Sequence, residues 1–180
     1  MRRAPMLYCA NLAEPRFKVL RQREQLPFGA PEGDGYSLDH AFRLRLMLDL
    51  IGGETDGLGG LAPSDAAPLV AEVMERFPRH PLRQIEPGDW WAGVAILEST
   101  DAEGHTRRWA ITYAGELGNF PAWLEHERTV EARGPAGLPA KRRIPAVRVF
   151  LANATRAADG VMRRAREIGI DPFAAGDTYD

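Results

Sequence analysis

The chain has 180 residues, 44% of them hydrophobic, with a single cysteine and a formal net charge of −2. That is enough apolar material to bury the core of one ordinary domain or two small ones. No run approaches the roughly 18–20 apolar residues of a bilayer span, and Met1-Arg2-Arg3-Ala4-Pro5 leads into no long apolar segment, so a cytoplasmic location without a membrane partner is expected.

Cys9 alone provides neither an internal disulfide nor a thiolate metal site, and reads as a small apolar filler. The charge is unevenly placed. Residues 1–30 hold six Lys/Arg against two acids, residues 52–105 three against ten, and residues 141–166 eight against one. Two basic ends around an acidic middle suit contact with polyanions at either end, although a solvated helix face accounts equally for the C-terminal cluster.

In chain order, Met6 to Ala13 offers barely one turn of helix or a short strand. Pro15 to Gln25 reads as a short helix, with Pro15 suited to a first helical position and Phe17, Val19 and Leu20 on its apolar side. Arg16 and Arg23 lie seven apart and share another face, with Lys18 and Arg21 beside them. Leu26-Pro27-Phe28 ends that helix, and Gly29 to Gly35 is a loop of hairpin or wing character. Ser37 is a suitable N-cap, with Asp39 in the first turn, for a helix from about Leu38 to Ile51 whose Leu38, Phe42, Leu46 and Leu50 form a buried stripe flanked by Arg43 and Arg45.

Gly52 to Gly60 is a connection. A third helix runs from about Pro63 or Ser64 to Phe77, with Pro68 near its first turn. Prolines 78, 81 and 87 make 78–89 an extended linker and divide the chain into units 1–77 and 90–180. Beyond it, Trp90 to Glu98 and Arg107 to Tyr113 read as an antiparallel pair, Ala122 to Arg128 as a helical turn, and Ile144 to Leu151 as a third strand. Asn153 caps a helix to about Ile168, closed by Gly169, with Ala157, Val161, Ala165 and Ile168 inward and Arg156, Arg163, Arg164 and Arg166 outward. The fold class expected is α+β.

The order of basic helix, Leu26-Pro27-Phe28 turn, Gly-rich loop, Gly35-Tyr36-Ser37-Leu38-Asp39, arginine-bearing helix and Leu61-Ala62-Pro63-Ser64-Asp65 resembles the DNA-binding region of MerR-like winged-helix proteins. The resemblance covers Pro15 to Val70. It implies a recognition helix bearing Arg16, Lys18, Arg21 and Arg23, a wing returning at Tyr36, and backbone contact from Arg43 and Arg45. The chain departs from the family in the reduced first helix, the long Gly52–Gly60 link, and the lack of a long dimerisation helix and effector cysteines.

Other chemistry is thinly represented. His126 with Glu125 and Glu127 is the nearest approach to a metal set, but adjacent helical residues point apart, and His40, His80 and His105 lie in separate segments. No nucleophile elbow, dinucleotide fingerprint or Lys-bearing phosphate loop is present, so no metal, cofactor or catalytic residue is assigned. A pocket uniting Glu98, His105 and Tyr113 is what an enzyme would require. Trp90 and Trp91, with Trp109 on the opposing strand, form an aromatic group of which only one of the first two can face the core, leaving the other as an anchor for a protein partner.

The reading that results is a non-enzymatic, oligomeric double-stranded DNA-binding protein, a regulator or a DNA-processing or packaging factor of phage or mobile-element type. The alternative is a structural or assembly module that binds protein and no nucleic acid.

Overall fold

A computed structural model of the chain describes residues 1–31, 35–52, 60–83, 88–101, 103–133 and 144–172. In these residues six helices accompany a three-stranded antiparallel sheet, an α+β arrangement. The order is α1 (Arg3–Ala10), α2 (Glu14–Gln22), α3 (Leu38–Ile51), α4 (Pro63–Arg76), β1 (Trp90–Thr100), β2 (Thr106–Glu116), α5 (Phe120–Arg133), β3 (Ala146–Asn153) and α6 (Ala154–Glu167), with 3-10 turns at Pro81–Arg83 and Leu117–Asn119.

Helix α1 corrects the expectation of barely one turn. Pro5 looks like a breaker, but it falls in the first helical turn, where its N–H has no intrahelical acceptor to lose. Met6, Leu7, Cys9 and Ala10 are buried, and α1 packs against both α3 and α6. Asn11, in the left-handed region at φ 56°, ends the helix, its N–H bonded to Tyr8 O and the Leu12 N–H to Leu7 O, each at 3.0 Å. Only Asn11, Leu12 and Ala13 separate α1 from α2, so the chain opens as helix, tight turn, helix.

Helix α3 begins and ends where expected. Ser37 Oγ accepts the His40 N–H at 3.2 Å while His40 Nδ1 accepts the Ser37 N–H at 3.0 Å, a reciprocal cap. Its burial is wider than a single stripe: Ala41, Leu44, Met47 and Leu48 are enclosed as well as Leu38, Phe42, Leu46 and Leu50. Helices α1, α4 and α6 and strand β3 surround it, which makes α3 the axis of the core. Pro68 lies beyond the first turn of α4, inside the helix, with its ring exposed.

The sheet has the order β2-β1-β3. Trp90 pairs with Glu116 and Thr100 with Thr106. Ala92, Val94 and Ala152 join the helical core from one face. On the opposite face α5, a full 14-residue helix rather than a turn, stacks Phe120 and Trp123 on Tyr113 with ring centroids 5.3 and 5.0 Å apart. Gly93 lies close beneath it, where a Cβ would meet Leu151 at 3.0 Å and Phe120 at 3.2 Å and push those side chains aside.

One apolar cluster runs from Met6 through α3 and α4 to Ala92, Val94, Ala157, Val161 and Ala165. The segments 1–77 and 90–180 therefore share a core, closed by α6 against α1 and α3. Within the expected linker, Pro81 and Leu82 are buried in a 3-10 turn, while residues 84–87 lie outside the described residues.

Candidate nucleic-acid interface

Helix α2 buries Phe17 and Leu20 and leaves the rest of its circumference outward. Val19, expected on the apolar side, is 44% exposed, since a nine-residue helix against α1 and the Leu26–Tyr36 loop has only a narrow inner stripe. Lys18, Arg21 and Arg23 are exposed and Arg16 is half-buried. Lys18 lies 3.9 Å from Glu14, whereas Arg16, Arg21 and Arg23 make no ion pair among the described residues. Arg3 of α1 reaches across to Glu14 at 3.0 Å and fastens the two helices together.

A groove of about 720 Å³ opens beside this pair, its lining including three arginines, Arg2, Arg3 and Arg21, two acids, Glu14 and Glu24, and the rings of Phe28 and Tyr36. Tyr36 is held by backbone: its N–H donates to Met1 O at 2.9 Å and its carbonyl accepts from the Met1 ammonium at 2.5 Å. Its ring meets Phe17 and Phe28 edge-on, with centroids 6.1 and 6.5 Å away, and His40 lies tilted against Phe28 with centroids 4.5 Å apart. Burial pushes the His40 imidazole below its usual pKa against the opposing pull of the Asp39 carboxylate. The wing expected between Gly29 and Gly35 has no strand in its described part, and residues 32–34 lie outside the described residues.

The arginines of α3 are differently placed. Arg43 Nε donates to Asp39 Oδ2 at 2.6 Å, and Arg45 Nε to Asp49 Oδ2 at 3.3 Å with a second bond from its Nη2 to Asp49 Oδ1. Asp39 also accepts from His80 Nε2 at 2.7 Å, and His80 Nδ1 accepts the Leu82 N–H at 3.3 Å, which assigns the ring proton to Nε2. Burial alone would raise the Asp39 carboxyl, but the His80 bond and the Arg43 guanidinium outweigh it and hold the group below the ordinary carboxylate range. Half-enclosed charges need such partners. The spacing of Asp39 with Arg43 and of Arg45 with Asp49, four residues apart, was the sequence signal for this pairing.

The tryptophans do not form one group. Trp90 packs on Phe77 with centroids 6.4 Å apart, and Trp91 donates its Nε1–H to Asp89 at 2.8 Å. Trp109 pairs with Leu97, six positions along β1 from Trp91 and so about 20 Å away. There Arg107 lies 5.7 Å over its ring, and its Nε1 is buried without a partner among the described residues.

Glu98, His105 and Tyr113 are likewise separated. Glu98 bonds Arg108 at 2.5 Å, His105 stands at the hairpin turn, and Tyr113 donates to Glu116 O at 2.6 Å beneath α5. His105 instead approaches Asp101 and Glu103, their ligand-type atoms within 4.8 Å of one another on an exposed turn. Asp101 Oδ1 there accepts the N–H groups of Glu103 and His105 at 3.0 and 2.8 Å, so the carboxylate shapes the turn.

Compared with known proteins, the chain matches no family model, no curated protein and no solved structure. No helix among the described residues is long and apolar enough to cross a membrane.

Proposed function

We propose that this chain is a non-enzymatic double-stranded DNA-binding protein that presents α2 to the duplex, in the role of a regulator or a DNA-processing factor. One observation carries the reading. Two helices joined by a three-residue turn lead into a basic second helix whose Arg16, Arg21 and Arg23 have no carboxylate partner among the described residues. A helix entering the major groove needs polar and cationic side chains on its outer face, with flanking cations to hold register on phosphates. Edge-on contacts of Tyr36 with Phe28 and His40 hold these rings together between the end of α2 and the start of α3, which supports a contact surface beside α2. Within this reading Lys18 joins the α2 arginines, while Arg43 and Arg45 stabilise α3.

The test is fluorescence anisotropy of the full chain on a random-sequence duplex from about 50 to about 300 mM salt. Affinity falling log-linearly with salt, and weakened by Arg16→Glu with Arg23→Glu, is the expected result. Absence of binding at the lowest salt would reject the reading and move attention to protein partners of the sheet.

A further inference from the structure

The two basic ends of the sequence meet in the fold. Helix α1 is the shared neighbour of α2 and α6. Arg3 joins α1 to Glu14 of α2, and at the other end of α1 the Tyr8 hydroxyl donates to Glu167 Oε2 at 2.7 Å, a bond between residues 159 positions apart. On α6 the apolar face of Ala154, Ala157, Ala158, Val161, Met162 and Ala165 is buried, which turns Arg156, Arg163 and Arg166 outward, all exposed and without an ion pair among the described residues. Arg164, half-buried, donates to Gly160 O at 3.3 Å, and its charge acts on both Tyr8 and Cys9.

We infer that α6 is a second phosphate-binding element, its Arg163 and Arg166 gripping the duplex backbone beside the groove that α2 enters. The inference rests on the duplex-DNA reading above and extends it to a part of the chain outside the helix–turn–helix. Its physical basis is width and charge. Helices packed at about 8–10 Å place α2 and α6 up to about 16–20 Å apart across α1, more than the roughly 12 Å of a major groove, so cations on α6 fall over flanking phosphates when α2 is docked. Exposed arginines without internal partners match that surface, with Asp159 and Glu167 the acids on the same side of α6.

The experiment compares four full-length variants with wild type by anisotropy on one duplex across the salt range. Arg163→Gln with Arg166→Gln is expected to make the slope of log affinity against log salt shallower by about two, one per lost contact, and to weaken binding about tenfold or more at low salt. Glu167→Gln retains an acceptor for Tyr8, removes a negative charge and is expected to tighten binding severalfold. Arg107→Gln with Arg108→Gln on the hairpin, equal in charge change, is expected to leave the slope in place.

An unchanged slope in the α6 variant, while Arg16→Glu with Arg23→Glu weakens binding, overturns the role of α6 and leaves the duplex reading standing. Equal losses in the α6 and hairpin variants reduce the effect to net charge and overturn it too, as does an unchanged affinity for Glu167→Gln. A wild-type chain that fails to bind overturns both inferences.

Discussion

Helix α2 with its C-cap residue Arg23, and helix α3, both carry arginines and use them in opposite ways. On α3 both Arg43 and Arg45 are clasped by aspartates one turn away, with side chains only 26% and 21% exposed. On α2, Arg16, Arg21 and Arg23 have no such clasp among the described residues. The difference follows from position in the fold. A helix ringed by α1, α4, α6 and β3 leaves its charges too little water to stand alone, whereas a short helix at the surface imposes no such requirement. Arginine content by itself therefore says little about phosphate binding. The partner within one helical turn decides which guanidinium is available.

The sharpest way to break this contrast is at Asp39. Asp39→Ala removes the acceptor of the His80 Nε2–H and the partner of the Arg43 guanidinium together, and is expected to cost about 3 kcal/mol of unfolding free energy in a urea titration. A loss below about 0.5 kcal/mol would show that the network contributes nothing to the fold. Next comes the surface helix: Arg16→Glu with Arg23→Glu should weaken duplex binding about a hundredfold at low salt while the melting temperature stays at the wild-type value.

Arg45→Met inverts that pattern, with about 1 kcal/mol lost in stability and DNA affinity preserved within about twofold. Should Arg45→Met weaken binding and leave stability alone, the division between the two helices would collapse.

The smallest effect concerns pH. His40 is half-buried beside Asp39, Arg43 and the Met1 ammonium, with its imidazole pKa depressed below 6.5, and its Nδ1 accepts the Ser37 N–H. Because the unfolded chain takes up this proton more readily than the folded one, the stabilisation is complete above about pH 6.5 and is lost as pH falls through the lower folded value. Thermal melts from about pH 7.5 to about pH 5 should show this decline, and His40→Gln, which retains the reciprocal cap without titrating, should flatten it. An identical decline in the variant would assign the effect to another group.

Much of the architecture was legible in local pattern. Ser37 and the four-residue apolar repeat located α3, and Asn153 with its alanine stripe located α6. Local pattern misled where position within an element mattered. Helix α1 was read as barely one turn from Met6 to Ala13 although it begins at Arg3, and α5 emerged as fourteen residues because its aromatic side is stabilised by Tyr113 rather than by its own sequence. The aromatic group broke apart because only the strand register, Leu97 opposite Trp109, reveals how far that ring lies from Trp91. For the candidate interface, the α2 arginines were readable as a basic face, whereas the meeting of α1 with α6 depends on residues 159 apart and has no local signature.

That last contact also sets an order of events during synthesis. The inner side of α1, with Met6, Cys9 and Ala10, and part of α3 are covered by α6, an element synthesised more than a hundred residues after them. Until then the nascent helices hold an uncovered apolar flank, the kind of surface that invites chaperones or association with other chains. Truncation before residue 154 would leave that flank permanently open, so shortened products are expected in the insoluble fraction while the full-length chain stays in solution.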